Sequence, residues 1–207
     1  MAPKPEIKAP LFHLSRATYY TDFFFYPAII VTALTVSFLY NGSRGLSLWI
    51  SIWILSCFSW TLIEYIIHRG VLHHVSYFRQ MHDLHHANPT ALVGTPIWIS
   101  ASALVLAFLA LWSVTNSIPV STAVMTGITT GYFWYVTIHH AMHHWTIRDD
   151  SILYRTKRRH AQHHYRDPSR NFGVTIGLWD HLFSRLSTRP PDGSRGWRDW
   201  LRSFRPS

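Results

Sequence analysis

The chain has little of what builds small secreted domains or disordered segments. Among its 207 residues there is one cysteine, Cys57, so no intramolecular disulfide can form. A single cysteine also excludes a cysteine-ligated zinc ribbon and an iron–sulfur cluster. Only 14% of the residues are charged while 15% are aromatic, which excludes intrinsic disorder. Against these shortages stands an excess of histidine, with 15 residues.

Acidic residues are scarce as well. The chain has ten Asp and Glu and 19 Lys and Arg, which gives a formal net charge of +9. Such an excess is typical either of a nucleic-acid binder or of a membrane protein. The sequence carries no RNA- or DNA-binding motif, so no nucleic-acid partner is expected. The positions of the apolar residues then decide between the two classes.

Four stretches without a charged residue predict transmembrane helices. Eighteen helical residues cover about 27 Å, close to the thickness of the hydrocarbon core of a bilayer. The remainder of so short a chain cannot bury four helices of this kind, which favours membrane insertion. The predicted spans are Phe23–Tyr40, Leu46–Ile63, Ile97–Val114 and Ile118–Ile138.

Short turns at Asn41–Gly45 and Thr115–Ser117 pair the spans into two helical hairpins. Both termini and the long connection then share one side, which carries every Lys and Arg except Arg44 and is cytoplasmic by the positive-inside rule. The prediction is an all-α, multi-pass integral membrane protein with four spans and a cytoplasmic, histidine-rich helical cap. Its expected parts are a lead-in and interfacial segment over 1–22, the membrane domain over 23–188 and a basic tail over 189–207.

Thirteen of the histidines lie outside the spans, in four clusters between His68 and His164. Residues three and four apart share a helix face, so the three histidines of each H-x2-H-H cluster can point to one place. After the fourth span, spacing leaves open whether His139 and His143 or His140 and His144 form the useful pair. The clusters are His68 with His73 and His74; His82, His85 and His86; His139, His140, His143 and His144; and His160, His163 and His164.

So many packed imidazoles predict a metal site. Without a metal they would have to stay neutral, and their ring nitrogens would need other partners. Histidine is the commonest metal ligand in proteins, and about ten ligands exceed the capacity of one ion, so two metals are expected. An imidazole site accepts zinc or copper readily, but structural zinc needs only four ligands. A redox pair such as iron, with positions open to O2, uses such a site more naturally.

The clusters resemble the histidine signature of the integral-membrane fatty acid hydroxylase/sterol desaturase superfamily. The resemblance runs from about Phe23 to Leu186 and is closest to the fatty acid 2-hydroxylase branch. The segments that carry this closer likeness are Gly131–His144, His160–Tyr165, Asn171–Gly173 and Gly177–Asp180.

The resemblance implies an O2-dependent di-iron hydroxylase that inserts oxygen into a lipid C–H bond, with a fatty acyl chain as the favoured substrate. It implies two iron ions (zinc in their place in isolated protein), O2 as cosubstrate, and no catalytic residue or organic cofactor site besides the metal ligands. It favours His139 and His143 over His140 and His144. The implied ligands are His68, His73, His82, His85, His86, His139, His143, His160, His163 and His164.

The resemblance also bears on partners. Many 2-hydroxylases of this branch carry an N-terminal cytochrome b5 domain, whereas residues 1–22 here contain no haem-binding His-Pro-Gly-Gly stretch. We therefore expect either electrons from a separate protein (cytochrome b5, a ferredoxin or a reductase) or a different substrate branch. The other expected partners are the lipid substrate and the membrane.

Several further residues are expected near the metals or in the cap. Glu64 and Asp180 either accept the second N–H of ligand imidazoles or make a hydrogen bond at a helix end or interface, and the sequence favours neither role. His74, His140 and His144 are expected as neighbours of the site. The remaining expectations are structural roles for His13 and His181, packing of the cap by Trp179 and Phe183, and a basic lipid-headgroup or donor-docking patch over Arg155–Arg159.

Two other functions are alternatives. The first is another reaction of the same superfamily, on a sterol, a carotenoid or a terpenoid, by hydroxylation or desaturation. The second is a metal-binding membrane transporter. A transporter should place His, Asp or Glu midway along its helices, and all four predicted spans lack these residues.

Overall fold

A computed structural model describes residues 14–40, 43–149 and 151–183. Helices dominate these residues, which confirms the all-α prediction. The predicted tail over 189–207, the first 13 residues and His13 lie outside the described residues. The helices are α1 (Arg16–Tyr40), α2 (Ser43–Ile66), a π-helical segment (Ile67–Leu72), α3 (Ser76–Ala87), α4 (Ile97–Thr115), α5 (Ile118–His144), α6 (Ile152–Tyr165) and α7 (Leu178–Leu182).

Three of the described helices are long and apolar enough to cross a membrane, over Arg16–Leu39, Gly45–Leu72 and Ile97–Thr115. They expose large apolar side chains such as Phe24 and Leu106, as lipid-facing helices do. These features fit a multi-pass membrane protein. The third span agrees with its predicted limits.

The first two spans are longer than predicted because helices α1 and α2 continue through charged residues. α1 begins at Arg16, where the Ser15 hydroxyl oxygen accepts the Thr18 N–H at 3.1 Å and so caps the helix. It then includes Asp22, and α2 includes Glu64. The predicted spans were limited by charged residues, and the helices extend beyond those limits.

The expected fourth span, within α5, is not among the three apolar helices found in the described residues. α5 is the central helix, and α1, α2 and α4 all pack against it. Its buried residues include Ser121, Thr126, Gly127, Thr129 and Gly131. A helix that packs against three others has less need of an apolar surface, so the predicted count of four is not confirmed.

Two glycines let α5 approach α2 closely. A Cβ on Gly127 would overlap the Trp53 carbonyl oxygen, and one on Gly131 would overlap the Trp60 side chain. Glycines four residues apart lie on one helix face and permit close helix packing in membranes. This interface therefore depends on the absence of side chains at both positions.

Hydrogen bonds cross the same interface. The indole N–H of Trp49 donates to the Thr122 hydroxyl at 3.3 Å, and that of Trp53 donates to the Thr130 hydroxyl at 3.1 Å. Water cannot serve these groups in the hydrocarbon core, so the pairs satisfy the polar atoms of both helices. The two helices are thus joined along their length, up to the end where both carry histidines.

The histidine-rich cap lies at that end. It consists of the π-helical segment, α3, α6 and α7. α7 packs on α2, where the Trp179 indole N–H donates to the Thr61 hydroxyl at 3.0 Å and the Phe183 ring stacks on Tyr65 at 5.4 Å between centroids. Trp179 and Phe183 therefore join this end of the chain to α2.

We expect Gly131→Ala to destabilise the protein by about 1–3 kcal/mol, because the added methyl group overpacks the interface against Trp60. Thermal unfolding in detergent measures the effect. Gly94→Ala is the matched control, since its Cβ would meet only the end of the Leu14 side chain at 3.5 Å. Equal unfolding midpoints for the two variants would contradict close packing at Gly131.

Candidate metal centre

The π-helical segment brings His68 and His73 together. In an α-helix, residues five apart point about 140° away from each other. The wider turn of a π-helix, with hydrogen bonds five residues apart, aligns them. Their rings stack with centroids 5.3 Å apart and planes at 28°. In the sequence, the H-x4-H spacing of His68 and His73 indicates this π-helical segment.

The structure brings ten histidines into two groups of five. Within each group, one ring nitrogen from every histidine lies within 4.8 Å of those of the others. The first group is His68, His73, His82, His86 and His163, and the second group is His85, His139, His143, His160 and His164. They are the ten residues that the resemblance implied.

α3 and α6 each contribute to both groups. His82 and His86, four residues apart, belong to the first group, while His85 joins the second. On α6 the pair His160 and His164 belongs to the second group and His163 to the first. The expectation that each H-x2-H-H cluster points to one place is therefore wrong. Around an α-helix, the residue at i+3 lies on one side of residue i and the residue at i+4 lies on the other side. The i+3 and i+4 side chains therefore point in different directions.

Distances within the groups fit metal coordination. Two imidazole ligands at right angles on a metal, each at about 2.05 Å, have nitrogens about 2.9 Å apart. The Nε2 atom of His82 lies 3.0 Å from that of His68 and 2.9 Å from that of His86. In the second group, the Nε2 atoms of His143 and His160 are 2.8 Å apart. One N–H cannot serve both neighbours of His82, whereas a metal can accept all three lone pairs.

Two backbone carbonyls fix which nitrogen of the first group is free. His68 Nδ1 donates to the Phe172 carbonyl at 2.5 Å, and His163 Nδ1 donates to the Arg170 carbonyl at 2.8 Å. A carbonyl only accepts, so the proton of each neutral ring is on Nδ1. The Nε2 lone pair of each is then directed into the group. Metal-bound histidines are commonly held in this way.

The second group contains buried nitrogens that lack partners. His85 Nε2, His160 Nδ1 and both ring nitrogens of His164 have no hydrogen-bond partner within the described part of the chain. Unpaired buried polar atoms are rare and costly in folded proteins. At least one lone pair on each ring is therefore available to a ligand, and the set of five donors fits a metal ion.

Burial keeps these imidazoles neutral. It lowers the pKa of His73 and of His86 to about 4, and it holds the pKa of His85 and His160 well below the ordinary value. Neighbouring histidines act in the same direction in the second group, because like charges oppose protonation. The rings thus offer lone pairs at neutral pH.

Comparisons with known proteins agree with this geometry. Residues 53–185 match the sequence model of the family described as "Fatty acid hydroxylase". The chain belongs to the fatty acid hydroxylase family. That match includes all ten grouped histidines.

Curated relatives of this fatty acid hydroxylase family member are similar over most of the chain. Human fatty acid 2-hydroxylase is 29% identical over 90% of this chain and 52% of its own length. The ceramide very long chain fatty acid hydroxylase scs7 of Schizosaccharomyces pombe is 31% identical over 79% of this chain and 50% of its own length. The chain therefore spans about half the length of these two relatives.

A solved structure shares the fold. It is described as full-length scs7p with only the hydroxylase domain visible, and its TM-score with this chain is 0.72 at 20% identity. The match covers 83% of this chain and 67% of that chain. At this identity the likeness concerns the fold alone.

Among the histidines after α5, the structure separates the two pairs that spacing left open. His139 and His143 join the second group. His140 turns to α1, where its Nδ1 lies 3.0 Å from the Tyr19 hydroxyl, and its ring stacks on His144 at 4.4 Å. In this hydroxylase-family chain the expected neighbours His140 and His144 thus lie on a different face of α5.

His74 and His181 lie outside both groups. His74 is exposed and its Nδ1 lies 2.7 Å from the Arg69 carbonyl oxygen. His181 is exposed on α7. For these two residues the structure shows surface positions, and for His74 a hydrogen bond to the backbone.

Of the two roles expected for Glu64 and Asp180, the structure does not show the direct hydrogen bond to an imidazole. The Glu64 carboxylate accepts the N–H groups of Val174 and Thr175 at 2.6 and 2.9 Å. The Asp180 carboxylate accepts those of Phe172 and Gly173 at 2.8 and 2.7 Å. The backbone N–H groups are nearer and satisfy both carboxylates. Each acts on the segment 170–175, hereafter the clamp loop, whose carbonyls hold two histidines.

Sequence reasoning missed the role of the clamp loop and of Arg159. Asn171 adopts a left-handed backbone with φ 57° and donates its side-chain N–H to Gln162 at 2.9 Å. Arg159 was expected in a basic surface patch, but its Nε is buried and its charge acts on Asp180 and Glu64. The Asn171–Gly173 stretch was noticed only as part of a resemblance, since its chemistry is in the backbone.

We expect the metal-free protein to lose stability as the pH falls from about 6.5 towards 4. The pKa of His73 and of His86 is lowered from 6.5 to about 4 in the folded protein. Between these pH values the unfolded chain binds more protons than the folded chain, so acidification favours unfolding. Stability is therefore fully present above pH 6.5. Thermal unfolding midpoints of metal-stripped protein from pH 8 to 4 measure this, and a midpoint that rises on acidification would contradict it.

Proposed function

We propose that the protein is an O2-dependent di-iron membrane hydroxylase that inserts one oxygen atom into a lipid C–H bond. The observation that carries the proposal is the pair of five-histidine groups in a chain of the fatty acid hydroxylase family. Shared helices α3 and α6 keep the groups side by side, which suits two metals acting on one substrate.

The ten grouped histidines are the proposed ligands. They are neutral and either buried or half-buried, and several of their lone pairs converge at coordination distance. Five imidazoles per group exceed what structural zinc requires, which favours iron with positions left for O2. Zinc remains a competitor for the same nitrogens in isolated protein, because imidazole donors bind it strongly. We assign catalysis to the metal centre and to no other side chain.

The metals, once bound, would supply the redox chemistry that activates O2. The protein's own residues hold the imidazoles and exclude water. Phe172 and Arg170 carbonyls orient two rings, and the Tyr135 ring stacks on His139 with centroids 5.7 Å apart and planes at 11°. The membrane helices below expose apolar surface to lipid, along which an acyl tail can reach the cap.

A fatty acyl chain is the proposed substrate, oxidised near its carboxyl end, either free or within a sphingolipid. The names of the relatives support this choice. The human relative is named as a fatty acid 2-hydroxylase and the S. pombe relative as a ceramide very long chain fatty acid hydroxylase. An Arabidopsis thaliana relative, 30% identical over 65% of this chain and 60% of its own length, is named as a dihydroceramide fatty acyl 2-hydroxylase.

We further propose a cytoplasmic metal centre, cytoplasmic termini and a hydroxylase domain over 23–188. The distribution of Lys and Arg supports this orientation. A separate donor protein would deliver two electrons per turnover. The outer surface of α6, where Arg155 is exposed, is the proposed basic contact for that donor or for lipid headgroups.

Cells producing the protein should accumulate a hydroxylated lipid, 16 mass units heavier than its precursor as one oxygen atom is about that mass. His163→Ala should abolish this product, because it removes a buried member of the first group. Mass spectrometry of lipid extracts measures the product, and His181→Ala is the matched control on the exposed side of α7. A hydroxylated sterol in place of an acyl product would point to the alternative substrate class. No new lipid in aerobic, iron-replete cells would contradict the proposal.

Purified protein should contain two metal ions per chain, because each group offers five donors. Elemental analysis of protein from iron-supplemented cells measures the ratio of iron and zinc to protein. His181→Ala should keep both ions. One ion per chain, or none, would contradict a di-metal centre.

A further inference from the structure

The two histidine groups are held differently. In the first group, His68 and His163 donate their Nδ1 protons to carbonyls of the clamp loop. In the second group, the Nδ1 atoms of His160 and His164 are buried with no hydrogen-bond partner among the described residues. Among the grouped histidines of the described residues, Nδ1 bonds to backbone carbonyls are thus shown by His68 and His163, which both belong to the first group.

The clamp loop is itself fixed by two carboxylates. Four successive backbone N–H groups, from Phe172 to Thr175, donate to Asp180 and Glu64. The Thr175 hydroxyl adds a fifth bond, to Glu64 at 2.6 Å. Asp180 is 0% exposed and Glu64 3% exposed, so no water competes for these bonds. The loop carbonyls thus have little freedom to move away from the imidazoles.

Arg159 and two glycines make this arrangement possible. The Arg159 guanidinium lies against Gly177, where any Cβ would overlap it, and its charge acts on both carboxylates. A Cβ on Gly173 would overlap the Ile176 carbonyl oxygen. The positive charge offsets the cost of burying two acids, and the missing side chains allow the loop to close on Asp180.

We propose that Asp180 and Glu64 are positioning residues that act through the clamp loop and make the first group the tighter of two unequal metal sites. The first group then fills first and empties last. This inference rests on the metal centre of the proposed function. Its physical reason is preorganisation: rings already fixed in tautomer and direction lose less freedom when they bind a metal.

The two carboxylates should respond differently to amide substitution. Each oxygen of Asp180 accepts a backbone N–H, so Asp180→Asn sets an NH2 group against an N–H group and breaks the clamp. In Glu64 one oxygen accepts both backbone N–H groups and the other meets a hydroxyl, which can also accept. Glu64→Gln can therefore keep all three bonds, whereas Glu64→Ala loses them.

The experiment isolates one group at a time. His143→Ala with His160→Ala removes two ligands of the second group, and His73→Ala with His86→Ala removes two ligands of the first. Each purified, metal-stripped protein is titrated with Zn2+ against a chelator, and with Co2+ to follow its absorption bands. The chain that retains the first group should bind Zn2+ more tightly. There, Asp180→Asn should weaken binding about 10–100-fold, as loss of support behind a ligand does.

The same Asp180→Asn change should leave Zn2+ affinity unaltered in the chain that retains the second group. Asp83→Asn, on the exposed side of α3, is the matched control and should change neither affinity. Glu64→Gln should preserve the Co2+ bands that Glu64→Ala alters. Equal weakening of both groups by Asp180→Asn would show a merely structural role and overturn the inference.

The order of affinities gives a second test that needs no change in the clamp. If Asp180→Asn does not fold, a tighter first group in the two double variants still supports the inference, and a tighter or equal second group overturns it. Failure of the proposed function looks different: the unaltered chain would bind no Zn2+ or Co2+ at all. Two ions bound with equal affinity would overturn only the inference.

Discussion

The burial of ten neutral imidazoles is the constraint on which the rest of this structure depends. A buried ring nitrogen must find a partner, and rings this close together cannot supply one another with enough protons. The protein resolves this by directing lone pairs into two groups and, where the structure shows it, tying the opposite nitrogen to a carbonyl. In the first group, the clamp loop behind His68 and His163 keeps those directions fixed.

Membrane packing and the metal centre are parts of one arrangement. The glycines of α5 set how closely that helix approaches α2, and both helices end in the cap with histidines. α2 continues into the π-helical segment that carries His68, while α5 continues to His139 and His143. A change in the depth or separation of the two helices would therefore displace ligands of both groups.

Spacing along the chain predicted the four histidine clusters, because periodicity defines a face within one helix, and the family resemblance singled out ten of their members. It did not predict that His85 would separate from His82 and His86, since the identity of the facing neighbour is a tertiary property. The same reason explains why the sequence left two roles open for Glu64 and Asp180: it shows a carboxylate but not which backbone N–H groups surround it. Local propensity does not mark the π-helical turn between His68 and His73, and only the H-x4-H spacing indicates it.

The pattern of apolar residues likewise predicted some helices well and others only in part. It located α4 within one residue of its limits, because that helix has no buried residue and is strongly apolar along its length. It also predicted the start of α5 at Ile118, but this central helix carries glycine, serine and threonine at buried positions and is not among the three helices of the described residues that are apolar enough to cross a membrane. Hydropathy thus reports which surface a helix presents, and only indirectly whether the helix belongs to the bundle.

The division of adjacent histidines between the two groups has a consequence for a protein in a fluid bilayer. His85 and His86 face different groups with ring centroids 6.2 Å apart, and His163 and His164 do so at 5.9 Å. Both separations are therefore set by covalent chain geometry within one helical turn. Whole helices tilt or slide as the composition or thickness of the bilayer varies. The distances between His85 and His86 and between His163 and His164 stay the same, because each pair lies within one helix.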